Sequence, residues 1–146
     1  MYQKMIEINN LTANRINERF LKKVAKIVLN GEKKGFAELS IVLVKQKKIK
    51  ELNKKYRGKN RATDVLSFGE NRKLIKPFLS EIVICPEEVK KNAERFGLKL
   101  EKELALVLIH GILHLLGYNH EGSENRAKEM EKKQKLYLNK AFKSNS

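Results

Sequence analysis

All three histidines of this chain fall in HGILHLLGYNH, residues 110–120. His110 and His114 are four residues apart, which on a helix puts two imidazoles on one face, a turn from each other. The segment around them is the most apolar in the chain. An imidazole buried among aliphatic side chains needs a hydrogen-bond partner or costs roughly a few kcal/mol. A divalent ion satisfies two imidazoles at once, taking a ring nitrogen from each at about 2.0–2.1 Å. Gly117 can take the left-handed conformation that ends the helix and reverses the chain, so that Tyr118 and Asn119 carry His120 back toward the same point. The spacing H-x-x-x-H-x-x-G-x-x-H is therefore a three-ligand geometry. Three imidazoles without cysteine leave one position of a tetrahedral ion open, as catalytic zinc sites do, although nickel or cobalt would also suit them. A lone histidine would be read as a core or cap residue. Three at this spacing, with none elsewhere, are read as a metal site.

Stepping outward, the segments that must hold these rings follow from periodicity. Met5–Ile8 alternates apolar and polar residues as a short strand does. Ile16, Phe20, Val24, Ile27 and Val28 recur at helical spacing, predicting a helix from Asn14 to Asn30 ended by Gly31. LSIVLV, 39–44, reads as a buried strand, Lys48–Tyr56 as a short basic helix, and DVLSF (64–68) and EIVIC (81–85) as two further strands. Pro86 suits the first turn of a helix running to Phe96 and stopping at Gly97. Glu101–Leu116 has almost no polar face, which predicts a helix in the middle of the fold. Ser123 is the expected N-cap of a last charged helix that turns Met130, Leu136 and Leu138 inward.

Composition limits the rest. The 146 residues are expected to form one domain, 1–146, and 41% hydrophobic content excludes a disordered or fibrous chain. The longest apolar run, Leu104–Leu116, is interrupted by two histidines and is too short for a membrane span. The opening MYQKMIEINN lacks the basic and apolar regions of a signal peptide. Cys85 is the single cysteine, so no internal disulfide forms, and a cytoplasmic location is expected. Lys+Arg number 32 against 17 Asp+Glu, a formal net charge of +15 that points to a polyanionic partner, nucleic acid above all. An ion-pair-rich thermophilic surface accounts for many charges but not for this imbalance. Between Lys45 and Arg61 lie nine basic residues and one acid, Glu51, a run suited to phosphate contacts. Arg57, just before Gly58 in what reads as a loop, is the one able to grip a phosphate with two bonds. Tyr56, Phe68 and Tyr118 could stack a base, with core packing at least as good an account of Phe68 and Tyr118.

The histidine spacing also occurs in metalloproteases, where HExxH supplies a glutamate as general base. Gly111 occupies that position here and offers no proton acceptor, which argues against proteolysis. HGILHLLGYNH, LNKKYRGKNRATDVLSF (52–68) and EIVIC (81–85) together resemble the YbeY family of zinc-dependent endoribonucleases in order and spacing, over nearly the whole chain. That resemblance implies an α+β fold, a small mixed sheet packed with helices, and a zincin-like central helix bearing one zinc ion. It implies cleavage of single-stranded RNA in ribosomal RNA processing, including 16S 3′-end maturation, and ribosome quality control, with the small ribosomal subunit as partner. By position, His110, His114 and His120 become the metal ligands, Arg57 the catalytic residue, and Lys55, Lys59 and Arg61 the RNA contacts. The chain departs from the family in having Asn119 and Glu81 where aspartate is usual, so an acid role at Asn119 is unsupported and Glu81 is a weak candidate for the proton acceptor. Two other function classes fit the same residues: a non-catalytic, zinc-stabilised factor that binds RNA or the ribosome during assembly, and, less well, a metalloprotease.

Overall fold

The computed structural model describes residues 5–34, 38–69, 80–118 and 123–143. Four strands form one sheet: β1 (Met5–Asn10), β2 (Glu38–Leu43), β3 (Val65–Phe68) and β4 (Ser80–Ile84). Their order is β1-β2-β4-β3; β1, β2 and β4 run parallel and the edge strand β3 runs antiparallel to β4. Five helices accompany them: α1 (Glu18–Gly31), α2 (Gln46–Arg57), α3 (Pro86–Arg95), α4 (Leu100–Leu115) and α5 (Glu124–Ala141). This is the α+β architecture with a small mixed sheet that the sequence leads one to expect.

Strand alternation sorts the core onto two faces. Leu39, Ile41, Leu43, Ile82 and Ile84 face α1 and α4 in the larger cluster, while Val42, Leu66, Phe68, Val83 and Cys85 pack with Ile49 and Leu52 of α2 in the smaller one. α4 lies against α1, α3, α5 and β3. That is why a helix apolar nearly all round is tolerated. It comes close to the sheet at Gly111, where a Cβ would stand 3.1 Å from Ser67 Oγ and 3.4 Å from Ile82 Cδ1. Ser67 Oγ also donates to the Gly111 carbonyl at 3.1 Å.

Several expected boundaries shift for local reasons. α1 starts at Glu18 and not near Asn14, because the Asn17 side chain accepts the Phe20 amide at 3.0 Å and so caps the helix. Asn10 and Thr12 close a turn upstream of it, Thr12 Oγ1 donating to Asn10 Oδ1 at 2.7 Å. Arg57 is the last residue of α2, not a loop residue; Gly58 at φ 71° is its C-cap. In α5, Leu136 is exposed, and the inward positions are Met130, Tyr137 and Ala141, a stripe at i, i+7 and i+11 that leaves Leu136 to one side. Leu138 is half-buried against the core. Among the described residues no helix is long and apolar enough to cross a membrane.

Glu32, just past α1, ties three elements together. Tyr118 donates its hydroxyl to Oε1 at 2.6 Å, and Oε2 accepts from the Tyr137 hydroxyl and from Lys133 Nζ at 3.1 Å. A side chain on Gly31 would collide with the buried Tyr137 ring. Burial opposes the Glu32 charge, but the Tyr118 and Tyr137 hydroxyls and the Lys133 ammonium outweigh it and hold the carboxyl below its ordinary value of 4.5. The bond to Glu32, followed by burial, pushes the Tyr118 phenol up to about 12. A carboxyl depressed in the folded state stabilises at pH above its unfolded value and loses that contribution as pH falls through its folded value. Glu32→Gln is therefore expected to lower unfolding free energy at pH 7 by about 2 kcal/mol. The deficit should shrink steadily below pH 4.5, read from urea titrations of both proteins across that range.

Candidate functional site

The cleft that receives the polar stripe of α4 has a volume of about 690 Å³ and is lined by residues of β3, α4 and α5 together with Arg57. His110, His114, Glu103, Asp64, Ser67 and Gln134 supply its polar groups. His110 is half-buried and His114 exposed. Their Nε2 atoms stand 3.0 Å apart, so both rings present the same nitrogen to one point. Ligands of a tetrahedral ion with bonds of about 2.0–2.1 Å stand roughly 3.3 Å apart, so the spacing is close to what a shared ion requires. His110 Nδ1 lies 2.9 Å from Gln134 Oε1. A carboxamide oxygen only accepts, so Nδ1 carries the proton and the Nε2 lone pair is left facing His114. Metal-binding histidines are oriented by such outer bonds.

His120 and Asn119 lie outside the described residues, and among the described residues no three His, Cys, Asp or Glu side chains gather at one point. Gly117 adopts φ 101°, ending α4 as expected, and the Tyr118 amide donates to the Leu113 carbonyl at 3.0 Å.

Arg57 reaches the cleft from the far side of the sheet. α2 packs on the face opposite α4, and its last side chain passes around the edge strand. Nη2 donates to the Ser67 carbonyl at 2.8 Å, and the guanidinium sits 5.2 Å from the centre of the Phe68 ring. Arg57 thus lines the same cleft as both histidines. Lys55, Lys59 and Arg61 are exposed and do not line it; Lys55 Nζ lies 5.2 Å from the Tyr56 ring. Phe68, 1% exposed, is a core residue meeting Tyr56 edge-on and presents no ring for base stacking, while half-buried Tyr118 is tied through its hydroxyl to Glu32 and does not line this cleft.

The reading of Glu81 changes, while Cys85 is the core residue that its place at the end of an apolar strand suggests. Glu81 pairs with Ser40 and Phe68 and therefore lies on the α2 face with Val83, across the sheet from the histidines, buried at 3% exposure. It is no proton acceptor for this cleft. Cys85 is buried in the same cluster, where loss of solvation pushes its thiol up, away from metal-binding chemistry. In the other direction, the sequence reading passed over Glu103, Asp64 and Gln134. Glu103 was legible in part, seven residues before His110 and so on the same helical stripe. Burial, then the charge of Asp64, raise the Glu103 carboxyl above its ordinary value.

The family model described as Endoribonuclease YbeY matches residues 2–141. A protein of that name from Petrotoga mobilis is 43% identical over 96% of this chain and 96% of its own length. Another from Thermodesulfovibrio yellowstonii is 45% identical over 81% of this chain and 75% of its own length. The solution structure of TM1509 from Thermotoga maritima superposes with a TM-score of 0.66 at 36% identity, covering 94% of this chain and 89% of that one.

The Gln134 contact makes a testable statement about the metal-free protein. Nitrogen-15 correlation spectra are expected to show His110 as the Nδ1–H tautomer. In Gln134→Leu the same ring should move toward the Nε2–H form that predominates in water, and an unchanged spectrum would remove the orienting role of Gln134.

Proposed function

This chain belongs to the YbeY family of endoribonucleases, and we propose that it cleaves single-stranded RNA with a divalent ion, zinc by preference, held by His110, His114 and His120. The observation that carries the reading is the convergence of two Nε2 atoms at 3.0 Å in a cleft that Arg57 also lines. The donor set fits the ion: imidazole nitrogens suit zinc, and Gln134 keeps one of them aimed. When bound, the ion supplies Lewis acidity at a phosphoryl oxygen and a source of nucleophilic water.

The chain's own residues do the rest. Arg57, held by the Ser67 carbonyl and the Phe68 ring, presents its charge to a phosphate in the cleft and stabilises the extra negative charge that builds during attack. Anchoring the guanidinium beforehand removes the cost of ordering it when RNA arrives. Lys55, Lys59 and Arg61 contact flanking phosphates on the exposed approach and contribute affinity that falls with salt. The substrate we infer is ribosomal RNA, including the 3′ end of 16S RNA, met on the small subunit in the cytoplasm, in maturation and in quality control.

A non-catalytic assembly factor shares the charge and the metal, and differs in never cutting RNA. Proteolysis is disfavoured by Gly111, whose position faces Ser67 and Ile82, so a carboxylate there would be driven into the sheet.

Metal-loaded protein incubated with single-stranded RNA is expected to cut it, and His114→Ala or a chelator to abolish the cutting. Arg57→Ala is expected to cut about 10²–10³-fold more slowly with unchanged metal content. Intact RNA after incubation with fully loaded wild type would leave only the binding reading. An Arg57→Ala rate equal to wild type would remove the role assigned to the guanidinium.

A further inference from the structure

α1 breaks a local rule of helix electrostatics. It carries Arg19, Lys22, Lys23 and Lys26 against one acid, Glu18. All four cations are exposed. They neighbour one another at i+3 and i+4 spacing, where like charges destabilise a helix. The last turn, where the helix dipole would favour a cation, contains none. Among the described residues the ion pairs join Lys91 with Glu88, Lys133 with Glu32 and Lys135 with Glu131, and none engages these four. α3 and α5 mix the two signs along their length instead. Departures from local preference concentrate at functional surfaces, so a helix that keeps mutually repelling charges is expected to hold them for a partner.

The ridge also has a shape and a place. Its side chains, with Glu18, Ile27 and Asn30, line a groove of about 600 Å³ that shares no residue with the histidine cleft. α1 packs on β1 at one edge of the sheet, whereas β3, at the other edge, lines the cleft. Strands spaced as in any sheet put those two edges about 14 Å apart. From these observations we propose that the α1 ridge is a second RNA-contact surface, which docks on the phosphate backbone of a double-helical segment. The proposal rests on the reading that RNA enters the histidine cleft, and it gives the structured part of the same molecule a place to sit.

The chemistry of the groove selects this partner. Cations that recur once per helical turn, about 5.4 Å apart, face a row of phosphates. Among the described residues no aromatic side chain lines the groove, and single strands owe much of their affinity to stacking on such rings. A duplex needs no stacking platform, because it is bound through its phosphates and its shape. Its two strands also bring more negative charge per unit length than one does. A membrane surface would call for large apolar side chains beside the cations, and the groove offers only half-buried Ile27.

Lys22→Gln, Lys23→Gln and Lys26→Gln combined remove most of the ridge charge, and glutamine matches lysine as a helix former, so the fold is kept. A control protein loses three exposed lysines elsewhere, Lys90→Gln, Lys128→Gln and Lys132→Gln, which gives both variants the same net charge. Fluorescence anisotropy with a fully paired RNA hairpin, its integrity checked on gels, is followed on metal-loaded protein over a range of salt. The ridge variant is expected to bind about tenfold more weakly than the control, with a salt slope smaller by about 2–3. Both variants should cut a short unstructured oligonucleotide at the wild-type rate, since none of these lysines lines the cleft. Equal hairpin affinities in the two variants, or a wild type that binds no hairpin, would overturn the docking surface. So would a ridge variant that loses binding to phosphatidylserine vesicles yet keeps its hairpin affinity, which would point to a lipid surface. Hairpin binding that depends on the ridge, in a wild type that cuts no oligonucleotide, would support the ridge and remove the cleavage reading instead.

Discussion

The close approach of α4 to the sheet is the constraint on which the site depends. A helix with α1, α3, α5 and β3 around it has little choice of where to send polar side chains. Gly111 permits that approach and the Ser67 hydroxyl meets its carbonyl, so the rotation of α4 about its own axis is fixed at the level of the histidines. With rotation fixed, Glu103, His110 and His114 fall on the flank that lines the cleft. Beyond its first turn the rest of α4 is packed, so its imidazoles are confined to that flank.

The edge strand serves both sides of the sheet. Its side chains alternate, Leu66 and Phe68 into the α2 cluster and Val65 and Ser67 toward α4 and the cleft. Its exposed edge would invite pairing with another chain. Arg57 binds the Ser67 carbonyl instead, so a residue on the far helix acts on the near face. A short, antiparallel edge strand is what allows this, because a longer sheet would place α2 out of reach.

Much of this was legible in the sequence, for physical reasons. Period and turn residues encode local geometry, so the apolar helix, its stop at Gly117, the histidine pair and the four strands follow from neighbouring residues alone. The N-cap contributed by Asn17 and the inward turn of Tyr137 in place of Leu136 depend on details that hydrophobic spacing does not resolve. The interactions that fix the site and its surroundings are long-range: the bond between His110 and Gln134, the charge of Asp64 acting on Glu103, and the bonds of Tyr118 and Tyr137 to Glu32. No local pattern announces them, since each joins segments brought together only by folding. Glu81 shows the converse. Its motif position suggested the site, and one step of strand alternation put it on the wrong face.

The electrostatics of the cleft run against those of the chain as a whole. A molecule with formal charge +15 attracts a phosphate backbone over most of its surface, yet the cleft includes two carboxyls at one end and an arginine with two imidazoles at the other. A polyanion laid across such a gradient lowers its energy by keeping phosphates near Arg57 and away from Glu103 and Asp64. The gradient therefore orients a polyanion within the cleft, while the charge of the rest of the chain sets how strongly it is drawn in.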